Sequence, residues 1–127
     1  MKKIVEEWRQ KAEGDFATAQ RELAAGQFPN FDAVCFHAQQ CIEKLMKAAL
    51  IQQSIVPPKT HDLYQLHLLL QPAYPAWQPA LEDLRYLTRA GVDFRYPGES
   101  ADQEEAEEAL AICSRLRPIL LTILETS

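Results

Sequence analysis

The chain has 127 residues and a mass of 14.5 kDa, enough for one domain with a real core and no disulfide or metal staples. Apolar residues make up 47% and charged residues 24%, a globular composition that argues against disorder. Eighteen acids against thirteen bases give a net charge of −5, which disfavours passive adhesion to nucleic acid. No apolar run approaches the ~20 residues of a membrane span, and Glu6 and Glu7 interrupt the stretch a signal peptide requires. Cys35, Cys41 and Cys113 are odd in number and lack metal-ligand spacing. The expectation is a reduced, cytoplasmic protein with half-buried thiols.

Glycine is rare and helix formers dominate. Lys3 to Ala25 places Val5, Trp8, Ala12, Phe16, Ala19 and Leu23 at steps of three and four, the stripe of a long helix. Gly26 is placed to end it, and Pro29 marks the break. Asn30 then caps a second helix reaching about Gln53. Its wide apolar face, from Phe31 through Ile42 and Met46 to Leu50, marks it as central. Val56, Pro57 and Pro58 form a rigid connector, after which Thr60 or Asp62 caps a short helix carrying Leu63, Leu66, Leu69 and Leu70.

Gln71 to Pro79, with three prolines, Tyr74 and Trp77, reads as a loop packed by its own side chains. Helix resumes near Ala80 with Leu81, Leu84 and Leu87 and stops at Gly91. Asp93 to Gly98 reads as an ordered turn. Ser100 with Gln103 forms a capping box for a last helix buried along Ala106, Ala109, Leu110, Cys113, Leu116, Leu120 and Leu124. Pro118 lies inside that pattern and predicts a kink. With no strand or repeat in view, the chain reads as one all-α domain over residues 1–127, an up-and-down bundle of four to five helices.

Familiar catalytic signatures are missing: no glycine-rich phosphate loop, no nucleophile elbow, no His-Glu-x-x-His. His37, His61 and His67 have no matching ligand cluster, so no metal site is expected. On the central helix His37, Cys41 and Lys44 share a narrow stripe at the margin of the apolar face. Glu43 and Lys47, on its far side, form an i,i+4 pair. His37 and Lys44 suit a polar cleft or a subunit contact, or else a satisfied histidine beside a snorkelling lysine. Thr60-His61-Asp62-Leu63 opens a helix where free amides beside an imidazole suit a phosphate, though capping alone explains the choice. Arg95, fixed on a rigid turn beside Tyr96, suits phosphate binding and base stacking, or a buried pair with Asp15. Arg85 and Arg89, four apart, either add positive charge there or face solvent.

Together these pieces resemble the HEPN family (higher eukaryotes and prokaryotes nucleotide-binding). Trp8, Ala12, Asp15, Phe16 and Ala19 look like its opening helix, and Phe36 to Leu50, around His37, Glu43 and Lys44, like its central one. Thr60-His61-Asp62-Leu63 and Arg95-Tyr96-Pro97 are similar to its third and fourth landmarks, in family order over nearly the whole chain. The resemblance implies a helical bundle that usually dimerises. Many members act with a minimal nucleotidyltransferase as a toxin–antitoxin or nucleotide-transfer pair, and others are metal-independent ribonucleases using an Arg-x4–6-His motif. No arginine here has a histidine at that distance downstream, and all three histidines precede Arg85. The expectation is therefore a homodimeric nucleotide-binding or nucleotidyltransferase-partner module. It has no catalytic residue of its own and no cofactor, and His37, Lys44, His61, Arg95 and Tyr96 form the nucleotide site. A ribonuclease toxin with a rearranged site and a ligand-free dimerisation module are the alternatives.

Overall fold

A computed structural model describes residues 2–94 and 96–126 and contains five helices. These are α1 (Lys3–Leu23), α2 (Phe31–Gln52), α3 (Leu63–Leu70), α4 (Leu81–Asp93) and α5 (Gln103–Glu125). Among the described residues there is no strand, so the fold is all-α as the periodicity requires. Lys2 Nζ reaches the Ile51 carbonyl at 3.5 Å, which sets the start of α1 beside the end of α2. The Ala101 amide donates to Asp32 at 2.7 Å and the Gln52 amide to the Ile123 carbonyl at 3.2 Å. These bonds tie α2 and α5 start to start and end to end, so the two run parallel. Tyr86 on α4 donates to the Glu105 carbonyl and Asp83 pairs with Arg115, so α4 runs against α5. The four long helices alternate in direction, and α3 is the short corner piece between α2 and α4.

The core forms around α2, whose Ile42, Leu45, Met46 and Leu50 are fully enclosed. α1 contributes mainly small side chains there, Ala12 and Ala19, which lets its backbone lie close to α2. Leu66 and Leu70 of α3, Leu84 and Leu87 of α4, and Ile112, Leu120 and Leu124 of α5 close the remaining sides. The wide apolar face of α2 is therefore covered within one chain. All three cysteines are fully buried, deeper than the half-burial expected, because Cys35 and Cys41 on α2 and Cys113 on α5 lie in the shared core.

Several helix ends differ from their sequence expectation, each for a local reason. α1 stops at Leu23, where the Ala24 and Ala25 amides close the last turn on the Gln20 and Glu22 carbonyls. The left-handed residue of that connection is Phe28 (φ 50°), not Gly26. Asn30 caps α2 as expected, accepting from the Ala33 amide at 3.0 Å. Beyond α2, Ser54 takes φ 62° while the Ser54 and Ile55 amides bond back to Ile51 and Leu50, a Schellman ending built without glycine. Asp62 is the cap of α3, and Thr60 supports it by accepting the Asp62 amide.

α4 continues through Gly91 to Asp93. Gly91 is buried, and a Cβ there would lie 2.8 Å from the Cβ of Gln39. The glycine is a contact point between helices and not a terminator. α5 begins after Asp102, which forms the capping box with Glu105 in place of Ser100 with Gln103. Charged partners make the stronger reciprocal bonds, and the Asp32 bond to Ala101 fixes the chain just before them. α5 runs unbroken across Pro118, which lies on an exposed face together with Ser114, the residue whose carbonyl loses its helical partner.

Candidate functional site

α2 carries two separate polar clusters, and each is organised by one buried carboxylate. Asp15 of α1 is 8% exposed, enclosed where α1 crosses α2. One of its oxygens lies 2.7 Å from His37 Nδ1, and the other accepts from Lys44 Nζ at 2.6 Å. His37 and Lys44 are seven residues apart, two helical turns, so one carboxylate spans both. Asp15 thus pairs with these two groups; the pair with Arg95 that the sequence also offers lies outside the described residues. The His37 ring also meets the edge of Phe36, with centroids 5.2 Å apart.

Glu43 organises the second cluster. It lies 2.7 Å from His61 Nδ1 and accepts from Gln39 Nε2 at 3.0 Å and from Lys47 Nζ at 3.1 Å. Gln39 Nε2 also donates to the His61 carbonyl at 3.1 Å, pinning the 58–62 segment to α2. Burial pushes the Glu43 carboxyl up, but bonds from Gln39, His61 and Lys47 outweigh it, so the group sits below its ordinary value. Glu43 and Lys47 are paired as expected, yet both are buried, with the His61 segment packed over Glu43. An ionised carboxylate facing Nδ1 draws the ring hydrogen to that nitrogen. In each dyad Nε2 is then the ring nitrogen turned away from the carboxylate.

Of the five site residues expected from sequence, His37 and Lys44 come together through Asp15. His61 stands apart from them on Glu43, because Glu43 and Lys44 are adjacent and point to different sides of α2. Tyr96 is exposed, and Arg95 lies outside the described residues. His37 lines a 350 Å³ cleft with Phe36, Asn30 and Phe94, the last described residue before Arg95. His67 is no part of either cluster: it is buried edge-on against Trp77, and burial lowers its pKa and holds it neutral. The cysteines carry no accessible nucleophile. Burial pushes Cys35 up to about 12, and the hydrogen bond with Cys113, then burial, raises Cys41.

A second cleft, of 470 Å³, opens between the start of α3 and α4 and is lined by Asp62, Tyr64, Arg85, Thr88 and Arg89. The Thr88 hydroxyl stitches the two helices, accepting from the Leu63 amide at 3.1 Å and donating to the Leu84 carbonyl at 2.8 Å. Arg85 and Arg89 are exposed and make no hydrogen bond or ion pair among the described residues. The i,i+4 spacing of these arginines was visible in the sequence. Their position opposite the Thr60–Leu63 corner was not, since it depends on how α4 folds back.

A third concavity, of 750 Å³, is apolar, with Tyr74, Pro75 and Trp77 on one side and Leu116, Ile119 and Ile123 of α5 on the other. No group of three or more His, Cys, Asp or Glu side chains able to hold a metal occurs among the described residues. Nor is any described helix long and apolar enough to cross a membrane.

Comparison with known proteins agrees with this architecture. The crystal structure of TT1696 from Thermus thermophilus superposes with a TM-score of 0.81 at 23% identity, over 94% of this chain and 98% of that one. The crystal structure of ST0689, described as an archaeal HEPN homologue, gives 0.68 at 24% identity, over 98% of this chain and 99% of that one. No curated protein matches significantly. The family model for the HEPN domain matches residues 5–123, from the first turn of α1 to the last turn of α5. The chain belongs to the HEPN domain family.

Proposed function

We propose that this chain is a non-catalytic HEPN module that binds a nucleotide, free or carried by a minimal nucleotidyltransferase partner. The observation that carries the reading is that, among the described residues, Arg85 and Arg89 stand apart from the histidines. Arg85 and Arg89 line a cleft of nucleotide size with no histidine in its walls. His37 and His61 are engaged by Asp15 and Glu43, and no described arginine is bonded to either. Such an arrangement can hold a phosphate but sets no histidine among the described residues of the cleft wall beside it. Metal-independent RNA cleavage needs a held phosphate and a general acid or base at one point.

His37, Lys44, His61, Arg95 and Tyr96 are in this reading the polar groups offered to the nucleotide or to its carrier. The module works as a cytoplasmic homodimer, a second copy covering the apolar groove between Tyr74, Trp77 and the exposed Ile119. Titration calorimetry with nucleoside triphosphates tests the binding, and micromolar affinity is expected from a few charge-assisted bonds. Absence of heat at millimolar nucleotide would refute it. Light scattering at twice the 14.5 kDa chain mass is expected for the dimer. A metal-independent ribonuclease toxin is the competing reading, favoured by the partly exposed His37 held on Asp15.

A further inference from the structure

We infer that the cleft between the start of α3 and α4 binds a nucleoside di- or triphosphate, Arg85 and Arg89 holding its phosphates and Tyr64 its base. The inference rests on the nucleotide-binding reading above and assigns it a place. Four other arginines each donate to an acceptor on the chain: Arg9 to Glu6, Arg21 to Thr18, Arg115 to Asp83 and Arg117 to Glu13. Arg85 and Arg89 alone among the described arginines have none, although acids outnumber bases in the sequence. They lie one turn apart on α4 and share a cleft, so both guanidinium groups can reach neighbouring phosphates of one ligand.

The cleft floor is fixed. Thr88 is tied to both helices, and Asp62 caps the Tyr64 amide at 3.0 Å, so the arginines project from a rigid frame. Tyr64 contributes a half-exposed ring to the same wall, and its hydroxyl makes no hydrogen bond among the described residues. An aromatic face beside paired cations suits a base attached to phosphates better than a phosphate alone. Asp62 is the adverse element: its carboxylate lines the cleft and repels an anion. That gives the site a signature, because asparagine caps a helix as well as aspartate does but carries no charge.

The test is calorimetric titration of the full chain with ATP, GTP, adenosine and inorganic tripolyphosphate at low salt. Wild-type protein is expected to take up one triphosphate per chain in the cleft, and adenosine not at all. Arg85→Ala and Arg89→Ala should each weaken binding about tenfold to a hundredfold. Arg21→Ala, which removes the same charge elsewhere, should leave it unchanged. Asp62→Asn should tighten binding several-fold, an effect no damage to the fold would produce. Nucleotide binding that survives Arg85→Ala/Arg89→Ala would overturn this site and leave the nucleotide-binding reading standing. No binding by the wild-type chain would overturn both. Tripolyphosphate bound as tightly as ATP, with Tyr64→Ala unchanged, would overturn base recognition in the cleft.

Discussion

Gly91→Ala separates two opposed physical effects at one position. Gly91 lies inside α4, where alanine is favoured over glycine by about 1 kcal/mol on helix propensity alone. A Cβ there would sit 2.6 Å from Gln39 Cγ, 2.8 Å from its Cβ and 2.9 Å from its Cδ. Rotating the Gln39 side chain moves Cγ and Cδ but not Cβ, so α2 and α4 must part. Gln39 is 1% exposed and joins Glu43 to the His61 carbonyl, so its displacement also strains that cluster. Overpacking of this kind costs about 1–3 kcal/mol, and a lost bond to a charged group about 1.5–3 kcal/mol. Set against the propensity gain, the net loss is about 2–4 kcal/mol. A domain of this size shifts by roughly 3–5 °C per kcal/mol, so Tm should fall by about 10 °C. Urea denaturation followed by far-UV circular dichroism gives the same quantity through the midpoint. A Tm unchanged or raised would refute the close approach of α4 to Gln39.

Asp15→Asn leaves Lys44 and His37 without their shared carboxylate; because both are partly exposed, the expected loss is about 1–3 kcal/mol in urea unfolding. Glu43 has a native pKa below its ordinary 4.5, so its stabilisation is complete above that value and is lost as pH falls through the native one. Stability measured from pH 7 to 3 should therefore decline less steeply in Glu43→Gln than in the wild type, and an identical slope would count against the cluster. His67, lowered by burial from 6.5, adds acid lability of the same sign in both proteins. A disulfide reagent at neutral pH should find no reactive thiol in the native chain and all three in denaturant; fast reaction of any cysteine would contradict their burial.

Helix positions were legible in the sequence because the apolar spacing and the Asn30 cap act locally. Ends decided by distant contacts were not. α5 offers two overlapping box patterns, Ser100 with Gln103 and Asp102 with Glu105, and the choice involves Asp32, 69 residues away. Gly91 carries a terminator's composition, and only the packing of α4 on α2 shows it as a point of close approach. Likewise His37 and Lys44 could be placed on one stripe of α2, but their shared partner sits on α1. Asp15 was visible as an acid near the stripe's edge, with nothing local to say which cation it meets. Arg85 and Arg89 acquire meaning only when the proline-rich 71–79 connection returns α4 to the start of α3.

Incubation of the purified chain with labelled structured and unstructured RNA, in EDTA and free of contaminating nuclease, tests the central claim most directly. On the proposed non-catalytic reading the acid/base contribution of about 10²- to 10⁴-fold is not supplied, and the RNA should remain intact above background. Robust metal-independent cleavage that disappears in His37→Ala or His61→Ala would contradict the account and make this chain a ribonuclease.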